Sequence, residues 1–180
     1  MGIKSSWQDQ HNRPDLAGEH RWGDLLQAML FLGFLVVWIM DMLNWKTGIT
    51  ANRTFPIWLR LPLGGVLILI SGYLAWAGIH TVFLEKRPQP EVIRHGVFAL
   101  VRHPIYLGAI LLYPGLVLIH LSLPAAAFIP AAVVLYVSLS RYEEKRLQAR
   151  FGNAYSEYMR EVSFLFPRNL RKRTGNHRGL

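Results

Sequence analysis

Four apolar runs constrain this chain more than anything else in it: Leu25–Trp45, Ile57–Phe83, Pro104–His120 and Pro124–Ser140. A straight helix needs about 20 residues to cross the hydrocarbon of a bilayer, with about 17 as a lower bound. Each run reaches or approaches that length. Within a bilayer only helices and closed barrels satisfy their own backbone groups, and runs of this length are helical. The sequence predicts an all-α integral membrane protein with about four transmembrane helices. Only Leu121-Ser122-Leu123 separates the last two runs, which predicts a tight antiparallel hairpin. With 52% hydrophobic residues, the composition is richer in apolar side chains than a soluble domain of this size requires.

The charges give the runs a direction. Net charge is +9, and all but three of the 20 Lys and Arg residues lie before the first run, in the second connection, or after Ser140. The exceptions, Lys46, Arg53 and Arg60, surround the first connection. The positive-inside rule therefore predicts cytoplasmic termini and a cytoplasmic Glu85–His103 connection. Residues 1–24 form a polar N-terminal segment without the apolar core of a cleavable signal, so the first span is expected to remain in the mature protein. Residues 25–167 read as one membrane domain, and 168–180 as a basic tail whose Arg168, Arg171, Lys172 and Arg173 suit anionic lipid headgroups rather than nucleic acid. Cysteine is absent, which excludes disulfides and thiolate chemistry.

Local signals refine this outline. Asp41 falls inside the first run, where a charge needs snorkelling or a polar neighbour. Gly64, Gly65, Gly72 and Gly78 in the second run predict close helix approach. Pro88 and Pro90 predict an extended loop, Pro104 a helix start, and Pro114 a kink. Beyond Ser140, Tyr142, Leu147, Phe151, Tyr155, Tyr158 and Val162 keep helical spacing among charges. Residues 141–167 thus read as an amphipathic cytoplasmic extension interrupted at Gly152.

Polar chemistry gathers at one level. His95, Gly96, Arg102, His103, Tyr106 and Gly108 form a collar at the mouth of the third run. If the last two runs are antiparallel, Arg102–Tyr106 lies beside Ser140–Glu144. Arg102 can hold a carboxylate or phosphate through two hydrogen bonds, and His103 can move a proton near neutral pH. The competing reading makes the arginine and histidine headgroup anchors, and lets Glu143 and Glu144 balance Lys145 and Arg146. No His–Glu spacing for a metal, no nucleophile elbow and no phosphate loop is present.

The pattern Gly96-x-Phe98-x-x-x-Arg102-His103-Pro104-x-Tyr106-x-Gly108 resembles the signature of the isoprenylcysteine carboxyl methyltransferase family, shared more loosely by phospholipid N-methyltransferases. A second block matches downstream: Glu143-Glu144-x-x-Leu147-x-x-x-Phe151-Gly152-x-x-Tyr155-x-x-Tyr158-x-x-x-Val162, then Pro167. The resemblance implies a membrane enzyme using S-adenosyl-L-methionine to methylate a lipophilic small-molecule or lipidated acceptor. It further implies that His95, Gly96, Val97, Phe98, His103, Tyr106, Gly108 and Glu143 line the cofactor. Arg102 would position cofactor or acceptor and Glu144 would support the pocket. Arg141 is the nearest counterpart of the arginine that holds an acceptor carboxylate. Phe98 replaces the usual tyrosine, and the second glycine of the Gly-x-Gly pattern of phospholipid enzymes is absent. Two other readings compete: an NADPH-dependent sterol-type reductase, which ends in a similar Arg-His-Pro-x-Tyr-x-Gly segment, and a non-catalytic membrane protein.

Overall fold

The computed structural model describes residues 22–45, 47–48, 55–85 and 90–167. The N-terminal segment up to residue 21, Lys46, Arg53, Pro88 and the basic tail fall outside the described residues. Every regular element among those described is helical. Helix α1 (Gly23–Met40) ends in a π-helical turn, Asp41–Trp45, and α2 (Ile57–Ile79) in another, His80–Leu84. A 3-10 turn, Gly96–Ala99, precedes α3 (Pro104–His120). Then come a single turn, α4 (Leu123–Ala126), the long α5 (Phe128–Phe151), and α6 (Asn153–Glu161).

Three stretches, Gly23–Trp45, Ile57–Leu84 and Leu123–Phe151, are long and apolar enough to cross a membrane. Helix α3 is shorter, at 17 residues, or about 26 Å at the usual rise. Large apolar side chains point away from the protein along these helices: Leu69 is 74% exposed and Val134 66%. Such surfaces suit lipid rather than water. The apolar interior centres on Phe34 and Tyr113, whose rings meet edge-on at 4.8 Å, with Phe31 and Phe128 around them.

Helices α2 and α3 touch backbone to backbone along one seam. A Cβ on Gly64 would lie 2.8 Å from the Gly115 carbonyl oxygen, and one on Gly108 would lie 2.8 Å from that of Ser71. At Gly78 it would meet Ile105 Cγ1 at 2.5 Å. Ser71 Oγ also donates to the Gly108 carbonyl at 2.8 Å. Small residues permit this approach, which maximises dispersion contact where lipid leaves little hydrophobic drive for association. The expectation of close approach fails at Gly65 and Gly72, where a Cβ would meet nothing within 4 Å. They lie on the outer side of α2, off the seam.

The end of the bundle away from His103 carries its own polar cluster. Asp41 is fully buried and accepts from the Thr47 backbone N–H and hydroxyl, both at 3.0 Å. The polar-neighbour reading of Asp41 holds. Arg60, also buried, donates to the Ile119 carbonyl at 2.6 Å. That carbonyl is in the last turn of α3, where intrahelical donors run out.

The connection after α3 is longer than the three residues expected. Leu121 adopts a left-handed conformation at φ 57°. The hydroxyl of Ser122 then accepts from Ala125 N, capping α4, and α5 begins only at Phe128. Pro124 and Pro130 both sit in first turns, where a missing N–H leaves no hydrogen bond unmade. Two such starts in seven residues explain the extra turn. Helix α3 itself continues through Pro114.

Candidate active site

Because Pro104 opens α3, the residues before it are held by bonds from elsewhere in the chain. Arg102 N donates to the Ser163 carbonyl at 2.9 Å, and Val101 pairs with Ser163 in an isolated parallel bridge. The Arg102 guanidinium then binds on two sides. Its Nε donates to Glu144 Oε1 at 2.7 Å, and its Nη1 donates to the Met159 and Val162 carbonyls at 2.7 and 2.8 Å. Those carbonyls lie at the C-terminal end of α6, where a cation also meets the negative end of the helix dipole. Arg102 therefore clamps α6 to α5 and to the start of α3.

His103 is buried beside this clamp. Its Nε2 lies 3.2 Å from the same Glu144 Oε1, and its Nδ1 lies 3.8 Å from Glu143 Oε2. Adjacent glutamates on α5 thus flank one imidazole. The ring stacks on Tyr106 at 5.9 Å and meets Phe164 edge-on at 5.2 Å.

In front of His103 opens a cavity of about 300 Å³. Phe98, Arg102, His103, Tyr106 and Glu143 line it, as does the apolar edge of Val82, Phe83 and Ile105. Three lining groups escaped sequence reasoning: Asp24 and Gln27 from the first turns of α1, and Glu91 from the extended segment after α2. Asp24 and Gln27 are three residues apart, and Gln27 Nε2 donates to Asp24 Oδ1 at 3.4 Å. Polar residues at helical spacing about the start of an apolar run were the available signal. Charge in the lining is mainly acidic. Asp24, Glu91 and Glu143 face it, whereas Arg102 is already occupied by Glu144 and two carbonyls.

The remaining candidates lie elsewhere. His95 is exposed, with Nε2 3.4 Å from Glu85 Oε2. Gly96 starts the 3-10 turn at φ +59°, a conformation that favours glycine, and Val97 is buried in the core. Gly108 belongs to the α2–α3 seam. Glu144 stands behind His103 and Arg102. Arg141 lines a separate groove across Arg102 from the cavity. The turn bearing Phe98 is fixed from α6, since Tyr158 donates its hydroxyl to the Phe98 carbonyl at 2.7 Å. Burial raises the pKa of Tyr158 and of Tyr155, so both phenols remain neutral. Among the described residues no three His, Asp or Glu side chains gather to hold a metal ion.

Residues 59–154 match the family described as phospholipid methyltransferase. A methanethiol S-methyltransferase of Mycobacterium tuberculosis is 32% identical over 142 residues, covering 75% of this chain and 50% of that protein. A probable protein-S-isoprenylcysteine O-methyltransferase of Oryza sativa subsp. indica is 34% identical over 136 residues, covering 73% and 58%. The cobalt-zinc-cadmium resistance protein CzcN of Cupriavidus metallidurans is 30% identical over 114 residues, covering 63% and 50%. The chain spans about half the length of the curated relatives it matches.

Proposed function

The chain belongs to the phospholipid methyltransferase family, and from that premise we propose that it is a membrane enzyme transferring a methyl group from S-adenosyl-L-methionine to a lipophilic acceptor. The observation that carries the proposal is the acidic, aromatic-lined cavity built on His103 and Glu143. A methyl donor of this class bears a sulfonium and an ammonium group beside one carboxylate, and is cationic on balance. The carboxylates of Asp24, Glu91 and Glu143 offset those charges, while the rings of Phe98 and Tyr106 can attract the sulfonium. The residues therefore fit the two cationic centres of such a donor.

Bound there, S-adenosyl-L-methionine would supply an electrophilic methyl group. The chain's share is alignment and the exclusion of water, which is most of what an in-line transfer requires. Arg102 holds α6 against α3 and so closes the floor. Tyr158 fixes the turn that carries Phe98. The apolar edge of Val82, Phe83 and Ile105 opens a lateral path for an acceptor dissolved in the bilayer. In this reading α3 is a fourth crossing, antiparallel to α5. The approach of Tyr106 to Tyr136, at 6.0 Å between rings, supports that arrangement. The cavity and both termini face the cytoplasm, in keeping with the positions of the cations.

The lining favours a neutral nucleophile over a carboxylate acceptor. A carboxylate acceptor would need a cation beyond any that serves the donor's own carboxylate, yet Arg102 is occupied and Arg141 is outside the cavity. A thiol or amine must instead lose a proton, and Glu143, in hydrogen-bonding reach of the cavity, is placed to take it. The test is methyl transfer from isotopically labelled S-adenosyl-L-methionine by the purified chain in lipid. The acceptor panel comprises a long-chain thiol, an aminophospholipid and an S-prenylated cysteine. Label in any acceptor, absent with Glu143→Ala, supports methyl transfer. Label confined to the prenylcysteine carboxylate would overturn the neutral-acceptor reading. Binding of NADPH without transfer would move the chain to the reductases.

A further inference from the structure

Across Arg102 from the cavity lies an open groove of about 610 Å³ between α5 and the segment after α6. Its wall is apolar, built from Val137, Met159, Phe164, Leu165 and Phe166. Phe166 is 71% exposed, an arrangement that water disfavours. One guanidinium stands over it without a partner: Arg141 is exposed and makes no hydrogen bond or ion pair among the described residues. The other basic residue of the lining, Arg102, is neutralised by Glu144. Among the described residues no acid lines the groove.

The sequence of α5 sets how deep this groove sits. Val134, Val137 and Arg141 fall at i, i+3 and i+7, on one face of the helix. Val134 is exposed, apolar and within the stretch capable of crossing a membrane. Arg141 lies about 10 Å further along the helix axis, and is the first charge after the apolar run Pro124–Ser140. The face thus changes from hydrocarbon-compatible to cationic over the length between an acyl chain and its headgroup. We propose that this groove is a binding site for one anionic phospholipid of the surrounding leaflet, its phosphate on Arg141 and an acyl chain along Val137 and Val134. The site lies outside the cavity and does not depend on which reaction the cavity performs. A bilayer lipid, rather than a soluble anion, is the occupant because the apolar wall and the exposed Phe166 leave most of the groove without a polar partner.

The test is made on the full chain in nanodiscs of mixed phosphatidylcholine and phosphatidylglycerol, with retained lipids counted by native mass spectrometry. One phosphatidylglycerol per chain is expected in preference to phosphatidylcholine. Arg141→Gln should reduce that preference about fivefold, the usual effect of one cation near a membrane surface. Arg141→Lys should largely keep it, which also shows that substitution at this exposed position leaves the fold intact. Val137→Trp, filling the apolar wall, should weaken retention independently of charge. A combined Arg171→Gln, Lys172→Gln, Arg173→Gln variant should keep the one preferred lipid in place, losing only the looser attraction of the tail for anionic headgroups. Loss of the preference in that tail variant, or its survival in both Arg141→Gln and Val137→Trp, would overturn the proposal. So would displacement of the lipid by inorganic phosphate, which would mark a site for small anions.

Discussion

Arg102 and Glu144 meet at 2.7 Å between Nε and Oε1, in a pair whose side chains are about nine-tenths shielded from solvent. The same carboxylate oxygen lies 3.2 Å from His103 Nε2. One glutamate on α5 thus serves two successive residues at the head of α3, while Arg102 reaches on to the end of α6. Three elements distant in sequence are joined through a single shielded carboxylate.

Removing one partner leaves the other charged and poorly solvated. Arg102→Met or Glu144→Leu alone should destabilise the chain by about 3 kcal/mol, read as thermal unfolding in detergent. The double variant should recover much of that loss, because no uncompensated charge remains. Strictly additive losses would show that the two groups do not act as a pair.

Glycines in α2 and α3 should divide into two classes. Gly108→Ala drives a Cβ to 2.8 Å from the Ser71 carbonyl oxygen, and should cost about 1–3 kcal/mol as helix α2 is pushed away. Gly72→Ala meets nothing within 4 Å, and should be neutral or slightly stabilising through helix propensity. Equal effects at the two sites would refute the seam.

Asp41 is the counterpart at the far end. Thr47→Val removes one hydroxyl donor while leaving the Thr47 backbone bond in place. The expected loss is about 1.5–3 kcal/mol, that of a hydrogen bond to a charged group, with little change in ligand affinity. A large change in donor binding would link this cluster to the site, contrary to the account.

Tyr158→Phe deletes one hydroxyl, whose bond to the Phe98 carbonyl is 2.7 Å long. Stability should fall by about 1 kcal/mol. Affinity for the methyl donor should fall as well, because Phe98 lines the cavity. An unchanged dissociation constant would separate the turn from binding.

Much of this was readable in the residues. Apolar run length located three helices to within a few residues, since backbone satisfaction in lipid leaves little choice. The interruption at Gly152 was visible from the glycine alone, since the apolar spacing runs on across it from Phe151 to Tyr155, and that residue has φ +53°. The convergence of His103 with Glu143 and Glu144 followed from putting two neighbouring runs side by side. Asp24 and Glu91 were not legible as cavity residues, because contacts between distant segments depend on how helices pack and not on local pattern. The same limit hid the seam: Gly64 and Gly65 are adjacent, and only a helix's orientation decides which one faces α3. Arg102 shows a third kind of limit. Its chemistry suits a ligand anion, yet carbonyls and a carboxylate of the chain itself occupy it.

Titration of S-adenosyl-L-methionine and its demethylated product into the purified chain in lipid, beside NADPH, decides whether the cavity holds the methyl donor. Micromolar binding of both the sulfonium donor and its thioether product is expected, weakened about tenfold by Glu143→Ala through loss of a charge-assisted contact, and abolished by Phe98→Trp filling the cavity. Arg141→Gln should leave that affinity unchanged, since Arg141 lies in the other groove. Absence of binding, or binding indifferent to both cavity substitutions, would contradict the assignment of this cavity to the methyl donor.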